Sequence, residues 1–119
     1  MRILLVDDYR PFRDIVAMLL RSRLHADIVE AADGAAALEH VRQGSFDAIV
    51  LDVDMPGMDG EQTFARLPAA QADRTLILTG VGKFERRRWF ATFPAGRVLR
   101  KPVDFEHLTT AITSMCEAV

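Results

Sequence analysis

The chain has a single cysteine, Cys116, so an internal disulfide is excluded and a reducing compartment fits. Cys116 then reads as a helix residue that fills space. No apolar run approaches the length of a membrane span, and only four apolar residues separate Arg2 from Asp7, too few for a secretion signal. These shortages point to the cytoplasm. Lys and Arg number 15 against 17 Asp and Glu, a net charge of −2 that gives no long-range pull toward nucleic acid or an anionic membrane. Neither is expected as a partner. No Gly-rich loop follows the first apolar segment, which weighs against a nucleotide or flavin module. Internal repeats, low-complexity tracts and linker-like stretches are also lacking. At 119 residues, 50% of them apolar, the chain is expected to form one domain, residues 1–119, around one core.

What is present is an alternation of strand and helix signals. Ile3-Leu4-Leu5-Val6 reads as a first strand running into Asp7-Asp8. Pro11 stands near the start of a helix in which Phe12, Ile15, Val16, Leu19 and Leu20 recur at three- and four-residue steps. Ile28-Val29 marks a short second strand. Asp33 caps a helix whose apolar face includes Leu38 and Val41, and Gly44 ends it. Ala48-Ile49-Val50-Leu51 runs without alternation into Asp52, the pattern of a central parallel strand buried on both faces. Asp59-Gly60 opens a helix to about Leu67, where Pro68 truncates it. Leu76-Ile77-Leu78 gives a fourth strand ending in Thr79-Gly80. A helix from Phe84 to about Phe93 stops at Pro94, and Val98-Leu99 makes a fifth strand before Arg100-Lys101-Pro102. Asp104 caps the last helix, striped by Phe105, Leu108, Ile112 and Met115.

Strands joined through helices are parallel, and right-handed crossovers bring their carboxyl ends to one edge, where open α/β sheets bind ligands. Asp7-Asp8, Asp52, Thr79 and Lys101 therefore converge. Singly, each has an ordinary reading: a strand-terminal Asp caps a helix, a Thr forms a turn, a Lys before Pro is solvated. Together they crowd three carboxylates, and a pair about 5 Å apart repels by about 3 kcal/mol at an effective dielectric of about 20. A hard divalent cation with oxygen ligands neutralises such a set, and Mg²⁺ keeps an open position for a phosphate oxygen. Nucleophile, metal, hydroxyl and ammonium are the parts for phosphoryl transfer to a carboxylate.

Val6-Asp7-Asp8, Asp52 with Met55-Pro56-Gly57-Met58-Asp59-Gly60, Thr79-Gly80 and Lys101-Pro102 together resemble the receiver domain of two-component response regulators, the CheY-like class. The resemblance runs from the first strand to the last helix. It implies a doubly wound, flavodoxin-like α/β fold with a five-stranded parallel sheet of order 2-1-3-4-5 and helices on both faces. It implies that Asp52 accepts a phosphoryl group from a sensor histidine kinase or histidine phosphotransfer protein, and that the chain catalyses nothing beyond its own phosphorylation and dephosphorylation. Asp8 corresponds to a direct ligand of Mg²⁺ or Mn²⁺, Asp7 to a ligand through water, and Asp54 supplies its backbone carbonyl beside Asp52. Thr79 and Lys101 would bind phosphoryl oxygens, Thr79 moving to signal them to an output domain or protein. Two departures stand out. Val98 occupies the place, three before the Lys, where the family often has an aromatic, so the usual rotamer switch is missing or replaced. The interval from Asp52 to Thr79 is also short, with Pro68 inside it.

Asp52-Val53-Asp54 also resembles the first motif of haloacid dehalogenase-like phosphatases, with Asp52 as nucleophile and Asp54 as acid/base. Chain order argues against it, because the acidic pair precedes the nucleophile strand and no room remains for a cap domain. Arg86-Arg87-Arg88 reads first as a solvated helix face. Trp89 and Phe90, with Phe84 and Phe93, cannot all face one side, so at least one is expected to be exposed, and the Arg86 to Phe90 surface becomes the candidate output face. His25, His40 and His107 are scattered without metal-ligand spacing and read as surface residues.

Overall fold

The computed structural model describes residues 1–55, 60–80 and 87–117, the side chain of Arg87 apart. Positions 56–59 and 81–86, which include Pro56 to Asp59, Val81-Gly82, Phe84 and Arg86, lie outside the described residues. The elements are β1 (Arg2–Val6), α1 (Arg10–Leu24), β2 (Asp27–Ala31), α2 (Gly34–Gln43), β3 (Ala48–Asp52), α3 (Gly60–Ala65), α4 (Ala69–Ala72), β4 (Thr75–Thr79), α5 (Arg87–Phe90), β5 (Val98–Arg100) and α6 (Phe105–Glu117). The strands form one parallel sheet in the order β2-β1-β3-β4-β5. That is the sheet the sequence implied.

Successive side chains on a strand point to opposite faces, so the unbroken apolar runs of β1, β3 and β4 supply two cores at once. Ile3, Leu5, Val50, Leu76 and Leu78 pack on one face against Val16, Ala17 and Leu20 of α1 and Leu108, Ile112 and Met115 of α6. Leu4, Val6, Ile49, Leu51 and Ile77 pack on the other against Ala37 of α2, Phe64 of α3, and Trp89 and Phe90 of α5. Asp33 caps α2 through a bond from the Ala36 N–H at 2.8 Å, and Asp104 accepts the N–H groups of Glu106 and His107 at the start of α6. Both caps fall where the sequence put them.

Three helices differ from expectation. In α1 the buried line is Val16, Ala17 and Leu20, while Ile15 is 48% exposed. At about 100° per residue, Ile15 lies too far round from the line through Val16 and Leu20 to share its face. The third helix stops at Ala65, because Pro68 forces the chain out of α geometry. The bonds from Arg66 N–H to the Thr63 carbonyl and Leu67 N–H to the Phe64 carbonyl are of the tighter three-residue kind. Pro68 then opens the extra turn α4, its carbonyl accepting the N–H groups of Gln71 and Ala72 at 2.9 Å. The described part of the next helix is the four residues Arg87–Phe90, closed by turns through Thr92 and Phe93.

Candidate functional site

The sheet register decides which side chains meet. Val6 lies opposite Leu51, Asp52 opposite Leu78 and Thr79 opposite Arg100, so Asp7, Asp52, Thr79 and Lys101 stand on neighbouring strand ends. Backbone pairing continues to that lip. The Asp7 N–H donates to Ala31, Val53 to Leu78, and Lys101 to Thr79 at 2.8 Å. The Lys101–Pro102 peptide there is cis. Gly60 lets α3 begin against the same lip, since a Cβ would overlap the Val53 Cα and lie 2.8 Å from the Asp52 carbonyl oxygen.

Asp7 and Asp52 are buried and Asp8 is exposed, and one carboxylate oxygen from each lies within 4.8 Å of the other two. Lys101 Nζ donates to Asp52 Oδ2 at 3.1 Å and to Asp7 Oδ2 at 3.4 Å, and the Phe12 ring lies 5.0 Å from it. The remaining oxygens of the buried pair are also held. Asp7 Oδ1 accepts the Tyr9 N–H and Asp52 Oδ1 the Asp54 N–H, both at 2.9 Å. Burial raises the Asp52 pKa first of all, and Asp7 adds to it, against the Asp54 N–H and Lys101. Burial by itself would lower the Lys101 pKa, but the charges of Asp52 and Asp7 outweigh it and the net shift is upward.

Three carboxylates against one ammonium leave the pocket short of two positive charges. Oxygen-only donors converging at a rigid edge suit a hard divalent cation, so the residues present fit Mg²⁺ or Mn²⁺. Asp8, facing solvent, offers the entry side. Thr79 is 3% exposed, and its hydroxyl donates to the neighbouring Gly80 carbonyl at 3.3 Å rather than to Asp52.

The side chain of Asp54 is engaged with Gly80, at the end of the strand beside it. It neither points to solvent nor stands free beside Asp52, because Oδ2 accepts the Gly80 N–H at 2.6 Å. Its Oδ1 is buried without a hydrogen-bond partner among the described residues. Arg13 is a contributor that the sequence did not single out: its guanidinium donates to the Asp7 carbonyl at 2.7 Å and to Glu30 at 3.1 Å. It fastens the acidic loop to α1 and β2. A lone arginine on a helix gives no sequence signal for that role.

On the face of α3 and α5, Trp89 meets Phe64 and Phe93 edge-on with centroids 5.8 and 5.1 Å apart. Trp89, Phe90, Phe93 and the half-buried Val98 all pack on that core. The described rings Trp89, Phe90 and Phe93 are half-buried and pack on the core beside Phe64, while Phe84, the fourth ring of the expected surface, lies outside the described residues. Arg88 is exposed, as a solvated face requires. The exposed large apolar side chains, among the described residues, are Met1, Tyr9, Ile15 and Met18. His25 and His107 are exposed and His40 is half-buried. Cys116 is half-buried and donates weakly to the Asp47 carbonyl, and burial raises its thiol pKa. No helix among the described residues is long and apolar enough to cross a membrane.

Residues 3–113 match the family model of the response regulator receiver domain. The chemotaxis protein CheY of Pseudomonas aeruginosa is 42% identical over 76 residues, covering 64% of this chain and 59% of that protein. The chemotaxis protein CheY-3 of Vibrio cholerae is 47% identical over 89 residues, covering 72% of this chain and 68% of that one. The chain thus spans less than two thirds of the first relative's length. A crystal structure of a response regulator receiver domain protein from Clostridium thermocellum superposes with a TM-score of 0.86 at 24% identity, covering 98% of this chain and 94% of that one.

Proposed function

The chain belongs to the response regulator receiver family, and from that premise we propose that Asp52 is its phosphoacceptor, served by Lys101, Thr79, Asp7, Asp8 and the Asp54 carbonyl. The observation that carries this reading is the ammonium of Lys101 bridging two buried carboxylates at the carboxyl edge of the sheet. An Asp52 oxygen attacks phosphorus, the new O–P bond forms as the donor histidine's N–P bond breaks, and the imidazole nitrogen keeps the electron pair. Lys101 is placed to follow the charge from the carboxylate to the arriving phosphoryl oxygens. Thr79 turns its hydroxyl from the Gly80 carbonyl toward them. A Mg²⁺ or Mn²⁺ ion held by Asp8 and Asp52, by Asp7 through water and by the Asp54 carbonyl would supply the missing positive charge.

The donor on this reading is a sensor histidine kinase or a histidine phosphotransfer protein, met in the cytoplasm, and the recipient is an output domain or protein. The chain acts on its own phosphoryl group and turns over no separate substrate. The phosphatase alternative has no support: the acidic pair follows β1, ahead of the nucleophile strand β3, and the family match runs through both. The test is intact mass after incubation with acetyl phosphate and Mg²⁺, with the added group located by peptide mapping. One phosphoryl group on Asp52, lost in Asp52→Asn, is expected. Labelling at another residue, or sustained hydrolysis of a small phosphomonoester, would overturn the assignment.

A further inference from the structure

The side chain of Asp54 is committed in a way that the phosphoacceptor reading leaves unused. Its backbone N–H holds Asp52 Oδ1 at 2.9 Å, while its carboxylate Oδ2 takes the Gly80 N–H at 2.6 Å. One residue therefore joins the acceptor on β3 to the peptide that follows Thr79 on β4. The carboxylate is held one-sidedly, since Oδ1 is buried with no partner among the described residues. A buried carboxylate oxygen without a donor is costly, so the arrangement persists only while the bond to Gly80 compensates it. Gly80 itself is shaped to this contact. A Cβ there would stand 3.0 Å from Asp54 Oδ2, tighter than an ordinary contact.

We propose that Asp54 is a positioning residue, a carboxylate latch that holds the Thr79-Gly80 backbone in the unphosphorylated arrangement and opposes phosphorylation of Asp52. The inference rests on Asp52 being the phosphoacceptor. Phosphorylation replaces one negative charge at Asp52 with a larger one, on the carboxylate that the Asp54 N–H serves. Like-charge repulsion then acts on an Asp54 side chain that already lacks a second donor, and the Gly80 N–H is released. Thr79 shares its peptide unit with that N–H, so its hydroxyl is freed to turn by the same event. A phosphoryl group shifts this equilibrium only through contacts that differ between the two states, and the latch is such a contact. A charge-assisted hydrogen bond of this kind biases a two-state equilibrium by about tenfold or more.

The test compares the wild-type chain with Asp54→Ala, Asp54→Asn and Gly80→Ala. Asp54→Ala removes the latch, Asp54→Asn keeps an acceptor without the charge, and Gly80→Ala pushes the carboxylate away with Asp54 intact. In ¹H–¹⁵N spectra of the unmodified, Mg²⁺-free protein the Gly80 amide is expected far downfield and slow to exchange. Asp54→Ala should move it upfield and speed its exchange, with Asp54→Asn between the two. Labelling of Asp52 by acetyl phosphate and Mg²⁺, followed by intact mass, should be faster by about tenfold in Asp54→Ala and Gly80→Ala, the fold-change a released latch implies. An unchanged Gly80 amide in Asp54→Ala overturns the latch whatever the labelling shows. Equal labelling rates in all four proteins overturn its opposing role alone, while absence of labelling at Asp52 in every protein overturns the receiver assignment and the latch with it.

Discussion

Asp52 lies between a like charge and an unlike one, and its own burial decides the balance. Its carboxyl pKa is raised from 3.8 by burial and by Asp7, against the Asp54 N–H and Lys101. A carboxyl that holds its proton more tightly when folded contributes stability fully below the unfolded value of 3.8 and loses it as pH rises through the folded value. At neutral pH the ionised Asp52 therefore weakens the metal-free fold. Lys101 works in the other range: raised above 10.5, it contributes stability below that pH and loses it as pH rises through the folded value. Asp52→Asn should accordingly stabilise the metal-free protein by about 1 kcal/mol near neutral pH, the relief of one carboxylate pair less the loss of a Lys101 partner. Thermal melts in a chelator from pH 3.8 upward check it, and the wild-type decline with rising pH should flatten in the variant. A variant that is less stable than wild type across that range would show that the Lys101 pairing, not the crowding, dominates.

At the scale of the element, α4 is the piece held from outside itself. It is a four-residue turn with no apolar periodicity, and its one buried side chain, Gln71, bonds to both backbone groups of Phe46, accepting its N–H at 2.7 Å and donating to its carbonyl at 3.0 Å. Gln71 thus stands in for a strand neighbour just before β3. Gln71→Leu keeps much of the volume and leaves a buried N–H and C=O unpaired, so unfolding in denaturant should show a loss of about 2–4 kcal/mol. A loss below about 1 kcal/mol would mean that water reaches Phe46 and replaces the amide. The same element shows what the sequence could and could not disclose. The strands were legible because runs such as Ala48 to Leu51 are apolar on both faces, and Asp7, Asp8, Asp52 and Lys101 were legible because parallel topology alone brings their strand ends together. The inward turn of Trp89, the exposure of Ile15 and the turn after Pro68 were not, because each is decided by what packs opposite it. Asp54 and Arg13 belong with these: the place of Asp54 two residues after Asp52 announced a site and Arg13 announced nothing, and their bonds to Gly80 and to the Asp7 carbonyl depend on partners 26 and 6 residues away.

Across the whole molecule, the sheet separates two cores that share only the lip where the acidic pocket lies. The core with α1 and α6 contains no Trp, whereas the other gathers Phe64, Trp89, Phe90, Phe93 and Val98 beside Ile77, two residues before Thr79. A change at Thr79 and Gly80 therefore has a packed route into α5 through one face of the sheet. Val98 has too little bulk to swing inward as a ring would, so any rearrangement falls to the aromatic cluster itself. Trp89 is the chain's only tryptophan, and its indole meets Phe64 at a centroid distance of 5.8 Å with an interplanar angle of 73°. Its emission should report the pocket. Adding beryllofluoride, a phosphoryl mimic, with Mg²⁺ is expected to shift or quench Trp89 fluorescence in the wild-type chain, and Asp52→Asn should abolish the response. Phe64→Leu should reduce it while leaving labelling of Asp52 intact, because the leucine removes the edge-on contact but not the pocket. Packed cores respond by switching between discrete arrangements, so the signal should saturate with occupancy rather than drift. Trp89 emission that stays constant while Asp52 becomes occupied would exclude this face as the route, and would direct attention to α1 and α6.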